Sequence, residues 1–206
     1  MGNGRSQGGD ILNKTIEYYN ENADKFIQDT QMVSMSEVQE LFLQKIPEHG
    51  AILDLGCGSG RDSKVFLDLG YKLISVDGSE KMCEATTALT GIPTICSSFQ
   101  DYEPETEFDG IWACASLLHL KPEEIRPVVS NLAKALKPDG CFYMSFKYGE
   151  FQGFRNDRYF TDLTEENLKK LLEDVDGLTL ESFMITSDVR PGRENEKWLN
   201  VFYLRE

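Results

Sequence analysis

Residues 52–63 read ILDLGCGSGRDS, and this stretch limits the folds open to the chain more than any other. Ala51 to Leu55 is a short apolar run, the length of a buried strand rather than a helix. Gly56, Gly58 and Gly60 follow at G-x-G-x-G spacing. Residues 62–69 then read as a helix, with Gly70 as its stop. A strand that feeds a glycine turn and a helix lets a ligand approach the backbone closely.

The rest of the chain continues the alternation. Residues 11–29 read as a helix or helix pair. Residues 36–46 carry Val38, Leu41, Phe42 and Ile46 at helical spacing. Ser36 with Gln39, or Ser34 with Glu37, would form a capping box at that helix's start. Strands are expected at 71–76, 93–96, 108–115 and 141–146, with helices at 80–89 and 123–136 between them. Ser79 caps the first of these helices, and Gly91 and Pro93 end it. A long loop over 147–161, a helix over 165–174 and strands near 178–186 and 197–204 complete the chain. Such alternation implies an α/β fold with right-handed crossovers and a mostly parallel sheet covered on both faces. Ligands of open sheets bind at the carboxyl ends of the strands, where the glycine turn lies.

The turn is selective about its ligand. A dinucleotide fingerprint would place its third glycine at position 61, which is Arg. No Lys-Ser or Lys-Thr follows the glycines, so a phosphate loop is excluded as well. A nucleoside-bearing ligand without a pyrophosphate fits better. Asp77 ends the next strand, about twenty residues on, where a carboxylate can accept both hydroxyls of a ribose.

Composition narrows the partners. The 206 residues suffice for one sizeable core, and the formal net charge of -14 disfavours a broad nucleic-acid interface. The five cysteines, at 57, 83, 96, 114 and 141, include no C-x-x-C pair. That argues against a disulfide scaffold and a zinc site, and for a cytoplasmic setting. No apolar run reaches membrane-spanning length. Residues 1–10 (MGNGRSQGGD) read as a flexible leader, and their M-G-x-x-x-S start matches a myristoylation pattern.

Four stretches in order, "ILDLGCGSG", "VDGS", "SSFQDY" and "FDGIWACASLLHL", resemble successive motifs of class I S-adenosylmethionine-dependent methyltransferases. The resemblance runs from about residue 15 to the C-terminus. It implies a three-layer Rossmann-like fold with a seven-stranded, mostly parallel sheet whose last strand is antiparallel. It also implies S-adenosylmethionine as cofactor, with S-adenosylhomocysteine as product. By the same resemblance Gly56, Cys57, Gly58 and Gly60 carry the methionine part, and Asp54 organises its end. Asp77, Gly78 and Ser79 hold the ribose side. Met82, Ser98 and Phe99 meet adenine, and the carbonyls of Cys114 and Ala115 receive the ammonium. Tyr18 or Tyr19 belongs to N-terminal helices over 11–48 that cover the cofactor. Gly78 departs from the apolar residue common at its position, which would leave one adenine face less covered.

The implied chemistry is in-line methyl transfer, in which the protein positions acceptor and donor and excludes water. His119, beyond the fourth strand, is the candidate general base. No Asn-Pro-Pro-Tyr or Asp-Pro-Pro-Tyr stands at the fourth strand, which argues against planar amino groups as acceptors. Arg155, Arg158, Arg190 and Arg193 are four of eight arginines and fall in two short segments. With Tyr148 and Tyr159 they are candidate acceptor contacts, suited to an anionic or planar group. The expectation is a single domain over 11–206 with a lid at 147–161, acting on a small molecule. A transfer-RNA methyltransferase and a non-catalytic binding module stay open as alternatives.

Overall fold

The computed structural model describes residues 7–206, with side chains from Ile11 onward; the myristoylation pattern at 1–6 lies outside the described residues. Among the described residues two helices come first, α1 (Gln7–Glu21) and α2 (Ala23–Thr30), so α1 already takes in part of the expected leader. Helix α3 (Ser36–Leu43) follows. Neither expected capping box forms at α3: Met35 is the N-cap residue, and Ser34 Oγ accepts from Ser36 N instead.

The central sheet is built from β1 (Ala51–Leu55), β2 (Lys72–Asp77), β3 (Ile95–Cys96), β4 (Phe108–Ala113), β5 (Leu136–Lys147), β8 (Leu178–Ser187) and β9 (Lys197–Arg205). Its order is β3-β2-β1-β4-β5-β9-β8. The first five strands are parallel, and β9 inserts antiparallel between β5 and β8. This is the seven-stranded arrangement expected from the sequence. Strand β4 ends at Ala113, two residues early, because Ala115 turns into a left-handed conformation and donates its N–H to Ser145 Oγ.

Helices α4 (Arg61–Asp68), α5 (Glu80–Thr90), α6 (Pro122–Ala133) and α7 (Glu165–Leu172) supply the crossovers. Ser79 caps α5 through Met82 N, and Gly91 ends it in a left-handed conformation, both as expected. The expected loop over 147–161 is instead a hairpin, β6 (Gln152–Arg155) and β7 (Arg158–Thr161). Its two-residue turn, Asn156-Asp157, is left-handed at both positions, which Asn and Asp tolerate better than other side chains.

Side chains alternate across the sheet as its pleat requires. Leu53, Ile111, Phe142 and Met144 join α6 and α7 in one core layer. Ile52, Trp112 and Tyr143 join Phe42 of α3 and Phe66 of α4 in the other. Trp112 is the centre of the second layer. Its ring stacks on Tyr143 at 4.0 Å and meets Phe42 and Phe66 edge-on. Its indole N–H donates to the buried carboxylate of Asp62 at 2.9 Å.

Trp112→Phe should preserve much of the stacking and remove that donor. A hydrogen bond to a buried charge is worth about 1.5–3 kcal/mol. Urea unfolding should show a loss of that order with an unchanged slope; equal stability would show that the indole N–H is not required.

Candidate functional site

A cavity of about 570 Å³ opens at the carboxyl ends of β1, β2 and β4. That volume lies within the usual range for ligand sites. The glycine turn forms its floor. Gly56 and Gly60 have left-handed φ of 77° and 79°, which other residues adopt only at a cost. A Cβ on Gly56 would also lie 2.4 Å from Ser116 Cβ, so the turn and the 114–116 segment close on each other. Gly60 does not line the cavity. A Cβ there would press on Thr86 at 3.0 Å, so its role is the packing of α4 on α5.

Asp77 stands at the edge of this floor. Its Oδ2 accepts from Gly58 N and its Oδ1 from Ser79 N, both at 2.9 Å. Burial raises its pKa, and these backbone donors oppose the rise only in part. Beside it lie Gly78, Ser79 and Met82, and further round Ser98 and Phe99. The face exposed by Gly78 is not open: Ile16 of α1 lies where a Cβ would be, at 2.9 Å. The side chain lacking at 78 is replaced from another element, contrary to the expected gap.

Asp54 also differs from expectation. It is 2% exposed and lies beneath the floor, outside the lining, where it accepts from Ser63 Oγ at 2.6 Å. Burial, reinforced by the nearby Asp62 charge, holds its pKa well above the ordinary carboxylate value. Cys57, Cys114 and Ala115 do line the cavity. Burial, with the Asp62 charge, pushes the Cys114 thiol up to about 12, so it is a neutral wall group.

One constellation was missed by sequence reasoning. Arg61 reaches Asp62 through two bonds of 2.8 Å, and Gln39 of α3 adds a third at 2.7 Å. With Trp112 this gives one buried carboxylate four donor contacts. Burial alone would raise the Asp62 pKa, but Arg61 and these hydrogen bonds win and lower it. Phe26 of α2 was missed too; it faces Gly58 across the floor.

The second wall carries Tyr19, His119, Arg158 and Phe160. His119 Nδ1 lies 2.6 Å from the carbonyl of Tyr159, so it must be the protonated nitrogen. Nε2 is therefore an acceptor, and Tyr19 donates its hydroxyl to it at 2.9 Å. Burial, helped by the Arg158 charge, lowers the His119 pKa to about 4 despite the Tyr159 bond. His119 thus presents no free basic nitrogen, which corrects its assignment as a direct general base.

Tyr148, Arg155 and Tyr159 must be removed from the candidate acceptor contacts. None lines the cavity. Tyr148 is 38% exposed, and Arg155 is clamped by Asp162 at 2.6 and 2.7 Å. The Tyr159 hydroxyl is occupied by Gln152. Arg190 and Arg193 do line the cavity, but Asp188 and Glu196 pair with them.

No helix among the described residues is long and apolar enough to cross a membrane, and no metal-ligand cluster occurs among them. Residues 52–140 match the family model described as a methyltransferase domain. A protein named as a methyltransferase, YqeM of Bacillus subtilis (strain 168), is 32% identical over 116 residues. That match covers 51% of this chain and 47% of the Bacillus protein, so it spans about half of each. An uncharacterized methyltransferase of Staphylococcus carnosus (strain TM300) is 26% identical, covering 64% of this chain and 72% of that protein. In three dimensions the chain resembles 1,6-didemethyltoxoflavin-N1-methyltransferase of Burkholderia thailandensis, solved with 1,6-didemethyltoxoflavin and S-adenosylhomocysteine. The TM-score is 0.77 at 17% identity, over 100% of this chain and 93% of that one.

The His119 ring should stay neutral in the folded protein until about pH 4. The unfolded chain, with a histidine pKa of about 6.5, takes up this proton first. Its contribution to stability is therefore complete above about pH 6.5 and fades as pH falls towards 4. NMR titration of the ring should give the low midpoint, and His119→Asn should reduce the acid sensitivity in that window. A midpoint near 6.5 would contradict the burial argument.

Proposed function

We propose that this chain, which carries a methyltransferase domain of class I architecture, uses S-adenosylmethionine to methylate a small-molecule acceptor that bears an anionic group. The observation that carries the cofactor reading is the coupling of Asp77 to Gly58 N, which fixes a carboxylate at the rim of the glycine turn. The residues present suit the cofactor. An acid ends β2, an apolar slot lies between Ile16, Met82 and Phe99, and the buried hydroxyl of Ser116 lacks a hydrogen-bond partner among the described residues. Tyr19, Phe26 and Ile16, from α1 and α2, cover this half of the cavity, and the β6–β7 hairpin closes the other.

The bound cofactor supplies an electrophilic methyl group on a sulfonium, so the chemistry is a displacement. The chain's own residues orient the reactants and keep water out. Asp77 holds the ribose side, and the backbone of 56–58 and 114–115 frames the methionine side. Tyr19, fixed by His119, positions the boundary between donor and acceptor. His119 is in this reading a positioning residue: its tautomer, set by the Tyr159 carbonyl, dictates where the Tyr19 hydroxyl points.

The acceptor reading rests on Arg158. Four of the five basic side chains lining the cavity, Arg61, Lys147, Arg190 and Arg193, have carboxylate partners. Arg158 has none among the described residues. This economy of charge also disfavours a nucleic-acid acceptor, which needs a basic track. The five cysteines are all free, which suits the reducing cytoplasm.

Calorimetry with S-adenosylmethionine tests the cofactor reading. Asp77→Ala should weaken binding roughly 100-fold through loss of charged hydrogen bonds. Wild-type protein that does not bind, or an Asp77→Ala variant that binds equally well, would refute it.

A further inference from the structure

Arg158 is held in an unusual way for a cation. Its guanidinium lies over Tyr18 at 4.6 Å and over Phe160 and Tyr19 at 5.3 and 5.7 Å. Its one hydrogen bond among the described residues runs from Nη1 to the Tyr19 hydroxyl, at 3.4 Å. Its Nε is buried and has no partner among the described residues. Nη2 also has no partner among the described residues, so the guanidinium fork keeps a donor arm free in an aromatic setting at the cavity wall, where a carboxylate can pair with it. The side chain is half-buried and has no carboxylate partner among the described residues, so the fork suits an anion. One guanidinium balances one negative charge, which suits a carboxylate better than a doubly charged phosphoryl group.

The same wall lacks a free base. His119 Nε2 accepts from Tyr19. Asp62 and Asp188 are each bound by an arginine and a tryptophan. Asp77 accepts two backbone donors. Glu37, the remaining lining carboxylate among the described residues, is exposed on α3, outside this wall's set of side chains. An acceptor held at this wall whose nucleophile must first lose a proton is poorly served; one that arrives ionised is not.

We propose that the carboxylate held by Arg158 is itself the methyl acceptor, so that the product is a carboxylic methyl ester. The inference rests on the methyltransferase reading above. A carboxylate oxygen forms the new bond to the methyl carbon, and the methyl–sulfur bond breaks with its electron pair left on sulfur. An anion and a sulfonium become a neutral ester and a neutral thioether, and no proton is released. The neutral ester no longer compensates Arg158, which favours its release.

Methyl-labelled S-adenosylmethionine, a small-molecule cell extract and the full chain provide the test. The label should enter the small-molecule fraction and leave it as volatile methanol after mild alkali, as carboxylic esters do. Arg158→Gln should cut incorporation roughly 10- to 100-fold, the equivalent of one lost charged hydrogen-bonding group, with the calorimetric Kd for S-adenosylmethionine unchanged. Arg158→Lys, which keeps the charge and loses the fork, should fall between. Label that resists mild alkali, as on nitrogen, sulfur, an ether or a phosphoryl group, would overturn the proposal, as would full activity in Arg158→Gln. Cofactor binding without any incorporation would overturn the transferase reading, and this inference with it.

Discussion

The carboxylate of Asp62 is the point on which the cavity depends. It is buried, and burying a charge is tolerable only when its acceptor sites are filled. Arg61 from the same helix, Gln39 from α3 and Trp112 from β4 fill them. One ion therefore binds the covering helix, the helix after the glycine turn and the middle of the sheet. From Trp112 the chain of contact continues through the stacked Tyr143, whose hydroxyl donates to Asn200 on β9 at 2.7 Å. Cavity walls far apart in sequence are fixed to a common centre.

This centre explains a feature that sequence reasoning used only negatively. Arg61 stands where a dinucleotide fingerprint has its third glycine, and its size excludes that reading. In the structure it has a positive task, neutralising Asp62, and the close-packing task falls to Gly60, one position earlier. The strands, α4, α5, the glycine turn and Asp77 were legible because each rests on a local rule: an apolar run, a left-handed glycine or a capping serine. The hairpin at 152–161 was expected as part of a long loop, because its strands are only four residues each and its turn is Asn156-Asp157 rather than a glycine-containing pair.

The arginines show the limit of composition. All four looked alike in sequence, and their partners decide what they do. Asp188 and Glu196 lie two and three residues from Arg190 and Arg193, so that local pairing was readable. Asp162 claims Arg155 across the hairpin, which required the β6–β7 register to be known. Arg158 differs because aromatic rings, rather than acids, surround it. Two arginines separated by a two-residue turn thus end with opposite electrostatic roles.

The cavity wall that carries Arg158 joins three otherwise separate pieces of chain. Thr15 of α1 accepts from Tyr159 N, Tyr19 of α1 donates to His119, and Thr161 donates to the Leu120 carbonyl. Each bond joins two of these pieces, and all three are satisfied only when α1, β7 and the short turn after β4 are together. Arg158 and Tyr19 are held by this docking, so the shape of the cavity wall depends on all three pieces at once.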